Sequence, residues 1–253
     1  MILCDRHATE DAGDCFGLCL AYSGSFTAMA QKDQRDQIRV QMGINPYQFR
    51  WCLTEGETFF APQVILSFSN QGFSKLSHQY HDILHEHMCR GRYKHERRPV
   101  LINNWEATYF DFNEEKIEKI AAQAGELGIE MMVLDDGWFG KRDDDNSGLG
   151  DWFVNEKKIR GGLPKLSEKI HEKGMKFGLW FEPEMISEDS DLYRAHPDWA
   201  ITIPGRVPNH ARNQLVLDMT REDVREYLLE RLTTIVHDAK IDYVKWDMNS
   251  SVC

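Results

Sequence analysis

The sequence has little that would direct it to a membrane, a nucleic acid or a structural metal. It contains no apolar run of the roughly 20 residues that a membrane-spanning helix needs. Acidic residues outnumber basic ones by 41 to 30, and the net charge of −11 disfavours binding to nucleic acids or anionic membranes. The six cysteines form no Cys-x-x-Cys pair, so neither a zinc site nor a disulfide scaffold is expected. The first residues lack the apolar core of a secretion signal, and we expect reduced thiols in a cytoplasmic protein.

Residues 1–75 have the pattern of an antiparallel β-sheet. Residues 14–23, 26–30 and 37–42 form apolar or alternating runs, separated by residues typical of turns. Trp51, Leu53 and the run 59–69 predict further strands. These 75 residues are interpreted as the C-terminal part of an N-terminal β-sandwich domain.

A helix is predicted over residues 74–96. Leu76, Tyr80, Ile83 and Leu84 recur near the helical period and give it an apolar stripe. We interpret residues 76–98 as a linker helix between two domains.

From residue 99 onward, strands and helices alternate. Asn113 is the expected N-cap of the first helix, and Thr220 with Asp223 resembles a capping box for the last. Such alternation predicts an α/β fold, with a parallel sheet covered by helices. We expect residues 99–253 to form the first half, four β/α units, of a (β/α)8 barrel. The predicted strands span 100–105, 129–134, 175–181 and 241–247. The predicted helices span 113–127, 163–173 and 220–239.

Each predicted barrel strand ends in residues that suit a sugar-binding pocket. Carboxylates accept hydrogen bonds from ring hydroxyls, and aromatic rings stack on the apolar face of a sugar. The carboxyl ends of barrel strands are where such enzymes place their active sites. The residues concerned are Trp105, Asp135, Asp136, Trp180, Glu182, Glu184, Lys245, Asp247 and Asn249.

Asp247 is the candidate nucleophile or charge stabiliser of this rim. Lys245 and Asp247 lie two residues apart on a strand and therefore share a face, where the cation favours the ionised carboxyl. Retaining glycosidases add a second carboxyl about 5 Å from the nucleophile, and Glu182 and Glu184 compete for that acid/base role. A simple ion pair between Lys245 and Asp247, and a turn capped by Asp135 and Asp136, remain alternatives.

Five ordered segments carry a resemblance to a known family. The residues 103–110, 134–140, 178–185, 212–218 and 243–249 closely resemble the bacterial α-galactosidases of glycoside hydrolase family 36. The resemblance extends over essentially the whole chain. It implies a retaining exo-α-galactosidase that releases terminal galactose from melibiose, raffinose and similar oligosaccharides, without a metal or organic cofactor.

The resemblance also implies a role for each matching residue. Asp247 matches the nucleophile, and Asp135 and Asp136 match the acids that bind the galactose hydroxyls. Trp105 and Trp180 match aromatic residues of the pocket wall. The residues that match hydroxyl-binding positions around the nucleophile are Arg212, Lys245 and Asn249. The family's acid/base lies on a later strand in a motif absent here, so we expect a fragment that hydrolyses natural substrates poorly.

Two other functions fit the same residues, and a third is disfavoured. A transglycosylating, raffinose-type synthase could use the same scaffold, and a non-catalytic galactoside-binding fragment would use the same pocket. A sugar-phosphate enzyme is disfavoured, because an acidic rim repels phosphate. The family is often oligomeric, and the resemblance therefore implies a homo-oligomeric full-length protein.

Overall fold

The computed structural model describes residues 1–47, 49–208 and 210–250, which fall into two units that divide between Arg97 and Arg98. No helix within the described ranges is both long and apolar enough to cross a membrane. Five of the six cysteines are described, and all five are free thiols.

The first unit is built from two antiparallel sheets. One sheet has the order β1-β2-β5, and the other is a hairpin of β3 with β4. The register pairs Phe16 with Phe68, whose rings lie 4.9 Å apart, and both side chains are about half exposed. The predicted β-rich character of this region is confirmed. Its strands are β1 Ile2–Cys4, β2 Cys15–Leu20, β3 Phe26–Lys32, β4 Ile38–Ile44 and β5 Val64–Ser69.

The prediction of strands around Trp51 and Leu53 was wrong. Residues 49–63 contain no strand. A local turn forms at residues 54–57 instead, where Glu57 N–H donates to the Thr54 carbonyl at 3.1 Å and the Glu57 carboxylate accepts from Thr54 N–H at 3.0 Å. The Trp51 ring packs against Phe59 at 5.1 Å rather than against a neighbouring strand.

The predicted helix over 74–96 is shorter than expected. Helix α1 spans Gly72–Ile83, and a π-helical turn at Leu84–Met88 and a 3-10 turn at Arg92–Lys94 follow it. Gly91 between the turns has a φ of 74°, a left-handed conformation that interrupts a helix. Helix α1 packs on the sheet of its own unit, where the Tyr80 hydroxyl donates to the Ile65 carbonyl at 3.1 Å.

The second unit has a four-stranded parallel sheet at its centre. The strand order is β11-β8-β7-β6, so neighbours along the chain are neighbours in the sheet, as in part of a β/α barrel. The predicted α/β fold is confirmed. The strands are β6 Leu101–Asn103, β7 Met131–Leu134, β8 Lys176–Phe181, β9 Met185–Ile186, β10 Leu215–Val216 and β11 Tyr243–Trp246. The helices are α2 Trp105–Thr108, α3 Glu114–Glu126, α4 Gly162–His171, α5 Asp191–Ala195 and α6 Glu222–Asp238.

One of the two predicted helix caps is present. The Asn113 side chain accepts from Lys116 N–H at 3.0 Å and caps α3 as expected. The capping box at Thr220 and Asp223 was wrong, because α6 begins after Arg221 without a side-chain cap. The Thr220 hydroxyl donates instead to Asp218 at 2.6 Å, and the Asp223 carboxylate pairs with the Arg221 guanidinium at 2.7 Å.

Apolar side chains from the helices and the sheet form one core in the second unit. Strands β7 and β8 lie in the middle of the sheet and are buried almost throughout. An aromatic cluster fills the space at the carboxyl ends of these strands, which gives the rim a rigid support. Its members are Trp138, Phe139, Trp152, Trp180 and Phe181.

Candidate active site

Three strand ends meet at the carboxylate of Asp135. Asp135 directly follows β7, and its side chain is 4% exposed. Its Oδ2 accepts from Lys245 Nζ on β11 at 2.7 Å and from the Asn103 amide at the end of β6. The sequence predicted Asp135 and Lys245 as site residues but missed Asn103, although Asn103 opens one of the family-like segments.

Trp180 on β8 holds the carboxylate of Asp247. The indole Nε1 donates to Asp247 Oδ2 at 3.0 Å, and Met248 N–H donates to Oδ1 at 3.0 Å. The carbonyl of Trp180 accepts in turn from Trp138 Nε1 at 2.9 Å. Trp180 is 2% exposed, so its ring lies in the core and its N–H is the part that reaches the site.

The environment of Asp247 favours its ionised form. Burial by itself raises the pKa of this carboxyl, but hydrogen bonds from the Asn249 side chain, Trp180 and Met248 N–H, together with the charge of Lys245, lower the pKa below its ordinary value. Asp247 is therefore a carboxylate at neutral pH, the state that a nucleophile or a charge stabiliser requires.

Glu182 lies beneath the segment that carries Asp247. Its side chain is 1% exposed, and Oε1 accepts from the backbone N–H of Asn249 and from Gln214 Nε2, the latter at 3.2 Å. Burial raises the pKa of Glu182, and the negative charge of Asp247 adds to that rise, whereas the hydrogen bonds from Asn249 and Gln214 oppose it. Gln214 was missed, although it stands in a family-like segment.

Glu184, the other candidate for acid/base, has a different partner. Both of its carboxylate oxygens accept from Trp246 Nε1, at 3.0 and 3.1 Å. Trp246 lies between Lys245 and Asp247 on the strand and therefore points to the opposite face of the sheet. Glu184 thus contacts the face away from Asp247.

Asp136 forms a buried ion pair with Arg142. The guanidinium donates from Nε to Oδ1 at 3.0 Å and from Nη2 to Oδ2 at 2.9 Å, and both side chains are almost fully buried. Burial raises the pKa of Asp136, and the Arg142 charge opposes that rise. The sequence missed Arg142, because it stands in the charged run 141–145, which has no strand or helix period.

The last two predicted site residues make fewer contacts. Trp105 begins α2 next to Asn103, whose Oδ1 accepts from Trp105 N–H at 2.7 Å, and its ring meets Phe110 edge to face at 5.0 Å. Arg212 lies in an exposed turn with a φ of 52°, and the described part of the chain gives it no ion pair or hydrogen bond. The structure therefore does not link Arg212 to Asp247.

The arrangement is suited to binding a neutral polyol beside a fixed carboxylate. Asp135, Lys245 and Asn249 offer acceptors and donors at the same sheet edge as Asp247. In the described ranges, no group of three or more His, Cys, Asp or Glu side chains is placed to hold a metal ion. The Asp247 and Asp135 carboxylates are the reactive and hydrogen-bonding groups that this edge presents.

Comparison with known proteins points in the same direction. The chain is 55% identical to the bifunctional α-galactosidase/sucrose kinase AgaSK of Mediterraneibacter gnavus, over 100% of this chain and 27% of that protein. It is 52% identical to the α-galactosidase AgaA of Geobacillus stearothermophilus, over 96% of this chain and 34% of that protein. The crystal structure of AgaA superposes with a TM-score of 0.94, at 51% identity over 98% of this chain and 34% of that one.

The chain thus spans about a third of the length of the curated relatives that it matches. The model of the glycosyl hydrolase family 36 N-terminal domain matches residues 1–54, and the Melibiase model matches residues 58–253. With more than half of its residues matched by the second of these models, the chain belongs to the Melibiase family.

Proposed function

We propose that this chain supplies the nucleophile and most of the galactose-binding side chains of a retaining exo-α-galactosidase. The observation that carries the proposal is the Asp247 carboxylate, which Trp180, Asn249 and Lys245 keep ionised at the carboxyl end of β11. A carboxylate fixed in this way at a sheet edge lined with polar side chains is what the first step of a retaining glycosidase needs.

In that step an Asp247 oxygen forms a bond to the anomeric carbon of galactose. The bond from that carbon to the glycosidic oxygen breaks, and its electron pair leaves with the oxygen, which takes a proton from a general acid. Water then attacks the anomeric carbon and gives its proton to the deprotonated general acid. The bond from that carbon to the Asp247 oxygen breaks, its electron pair returns to the carboxylate, and the second inversion restores the anomeric configuration. Glu182 and Glu184 are occupied by Asn249 and Trp246, so we propose that the general acid lies outside residues 1–253.

The other predicted residues are proposed to bind the sugar. Asp135 and Asp136 accept from galactose hydroxyls, and Lys245, Asn249 and Arg212 bind hydroxyls around the nucleophile. Trp105 forms part of the wall, and Trp180 contributes the edge that carries its indole N–H. Crystal structures of AgaA variants in complex with raffinose and with stachyose support an α-galactoside oligosaccharide as the ligand class. We further propose a cytoplasmic location and a homo-oligomeric full-length protein.

Two substrates with different leaving groups test this division of labour. Nitrophenolate leaves without a proton, whereas the glucose of melibiose needs a general acid, which contributes roughly 10²- to 10⁴-fold to the rate. The 253-residue chain should therefore release nitrophenol from p-nitrophenyl α-galactoside while melibiose hydrolysis stays at least about 10²-fold slower.

Matched variants identify the residue responsible. Asp247→Asn should abolish release from the aryl galactoside, and Glu184→Gln should leave it unchanged. Galactose release from melibiose at an enzyme-like rate would contradict the proposed position of the general acid. Equal aryl hydrolysis by Asp247→Asn would contradict Asp247 as the nucleophile, and galactoside binding without any hydrolysis by the unsubstituted chain would leave only a binding function.

A further inference from the structure

We infer that Glu182 is a positioning residue, which fixes the nucleophile-bearing segment Asp247–Asn249 by accepting the backbone N–H of Asn249. The inference rests on the proposed role of Asp247. It assigns Glu182 a task different from that of an acid/base, and it makes β8 the element against which the end of β11 is aligned.

The contacts around Glu182 connect two strand ends and a loop. Glu182 directly follows β8, and Asn249 stands three residues after β11. Gln214, on the loop that leads into β10, donates to the same oxygen at 3.2 Å and holds the carboxyl group from the other side. Because the acceptor is buried and itself held, the position of Asn249 N–H is restricted.

Asn249 transmits this restriction to the nucleophile. Its side chain contributes to the lowered pKa of Asp247 and also opposes the raised pKa of Glu182, while its backbone N–H donates to Glu182. The pair therefore orients the donor that helps to keep Asp247 ionised. Glu182 acts on Asp247 through Asn249, with Trp180 as a second, separate support.

Burial excludes Glu182 from direct chemistry on a ligand. Its side chain is 1% exposed, so it cannot reach a sugar oxygen without breaking the contact with Asn249. If Glu182 lost its acceptor oxygens, the Asn249 N–H would be left without a partner at a partly buried site, and segment 247–249 would shift to regain one.

The test uses the 253-residue chain and two substitutions of similar size. Glu182→Met removes the acceptor, and Glu182→Gln keeps one neutral acceptor oxygen. Hydrogen exchange of the Asn249 amide measures the contact, and the affinity for 1-deoxygalactonojirimycin, a ligand of an AgaA variant, measures its consequence. Glu184→Met and Glu184→Gln are the matched controls, because Glu184 contacts Trp246 on the other face.

In Glu182→Met we expect at least tenfold faster exchange of the Asn249 amide and at least tenfold weaker binding of the iminosugar. Glu182→Gln should recover most of both, and neither control should change them. If Glu182→Met does not fold, the inference is tested with Glu182→Gln, by following the NMR chemical shift of the Asn249 amide as a function of pH. That shift should follow the titration of Glu182 in the unsubstituted chain and lose this dependence in the variant.

The inference would be overturned by an unchanged exchange rate of the Asn249 amide in Glu182→Met. It would also be overturned if the chemical shift of that amide in Glu182→Gln kept the pH dependence seen in the unsubstituted chain. Failure of the unsubstituted chain to bind the iminosugar would instead count against the proposed function, because the Asn249 amide reports on Glu182 without any ligand. The two failures are thus separable.

Discussion

At the scale of single residues, Lys245 serves two carboxylates. It forms the ion pair with Asp135 at 2.7 Å, and its charge contributes to the lowered pKa of Asp247. Its side chain is 37% exposed, so solvent screens part of both interactions. Lys245 therefore orients Asp135 and also favours the ionised form of the proposed nucleophile.

Replacing Lys245 should move the pKa of Asp247 upward. In Lys245→Met the carboxylate of Asp247 loses a nearby positive charge, so its protonated form becomes relatively more stable. Carbon-13 NMR of aspartate-labelled chain measures this pKa, and the resonance is assigned by its absence in Asp247→Asn. Lys240→Met, at the opposite end of β11, is the control and should leave the pKa unchanged. A pKa that stays constant or falls in Lys245→Met would contradict the account.

The coupling of Glu182 to Asp247 predicts that Asp247→Asn lowers the pKa of Glu182, whereas Lys245→Met raises the pKa of Asp247. The pKa of Glu182 is raised first by burial and further by the negative charge of Asp247. Asp247→Asn removes that charge, so the pKa of Glu182 should fall toward its ordinary value. Carbon-13 NMR of glutamate-labelled chain follows it, with Asp238→Asn as a distant control. No fall would mean that the two carboxyl groups do not interact.

Residue spacing predicted which residues share a strand face, but not that Lys245 forms its ion pair with Asp135 rather than Asp247, nor the contacts between distant loops. The shared face of Lys245 and Asp247 follows from the period of a strand, and the meeting of Asp135 with Lys245 follows from parallel strand ends. The partners Arg142 and Gln214 reach the site from loops, whose path no local period describes. The tertiary structure alone brings them to Asp136 and Glu182.

At the scale of elements, the two predicted helix starts show how capping is decided. Asn113 has no competing partner for the oxygen that accepts from Lys116 N–H, so it caps α3. Thr220 and Asp223 have the spacing of a capping box, but Asp218 and Arg221 bind them more directly. The sequence pattern gives the possible cap, and neighbouring charges decide whether it forms.

Removing the α3 cap should reduce stability more than the same change before α6. Asn113→Ala leaves the N–H of Lys116 without its acceptor and should lower the free energy of unfolding by about 1 kcal/mol. Thr220→Ala removes a hydroxyl that caps no helix, and its effect should be clearly smaller. Urea unfolding followed by circular dichroism compares both with the unsubstituted chain. A larger loss in Thr220→Ala would contradict the assignment of the caps.

At the scale of the whole molecule, the parallel sheet of the second unit has apolar side chains at its β11 edge. Trp246 and Val244 on this edge are exposed, and Leu229 on α6 is 70% exposed in the adjoining apolar groove. An edge strand with apolar neighbours is a site for association with other chains. This face therefore predicts self-association of the 253-residue chain.

A charge placed in this groove should reduce the association. Leu229→Lys introduces a cation that would be costly to bury between chains, so the average mass at high concentration should fall toward that of the monomer. Leu127→Lys is the matched control, because Leu127 is 82% exposed at the end of α3. Sedimentation velocity over a concentration series distinguishes the variants. Equal association in both would show that the groove is not the contact.

The central claim is that Asp247 attacks the anomeric carbon of galactose, and trapping the galactosyl ester tests it most directly. A fluorinated α-galactosyl donor whose leaving group needs no proton should modify the chain once. Fluorine slows both steps, and the activated leaving group restores the rate of the first step only, so the galactosyl ester accumulates. Peptide mass spectrometry should place the adduct on Asp247, with none in Asp247→Asn. An adduct on another residue, or an unmodified chain that nevertheless hydrolyses the aryl galactoside, would contradict the account.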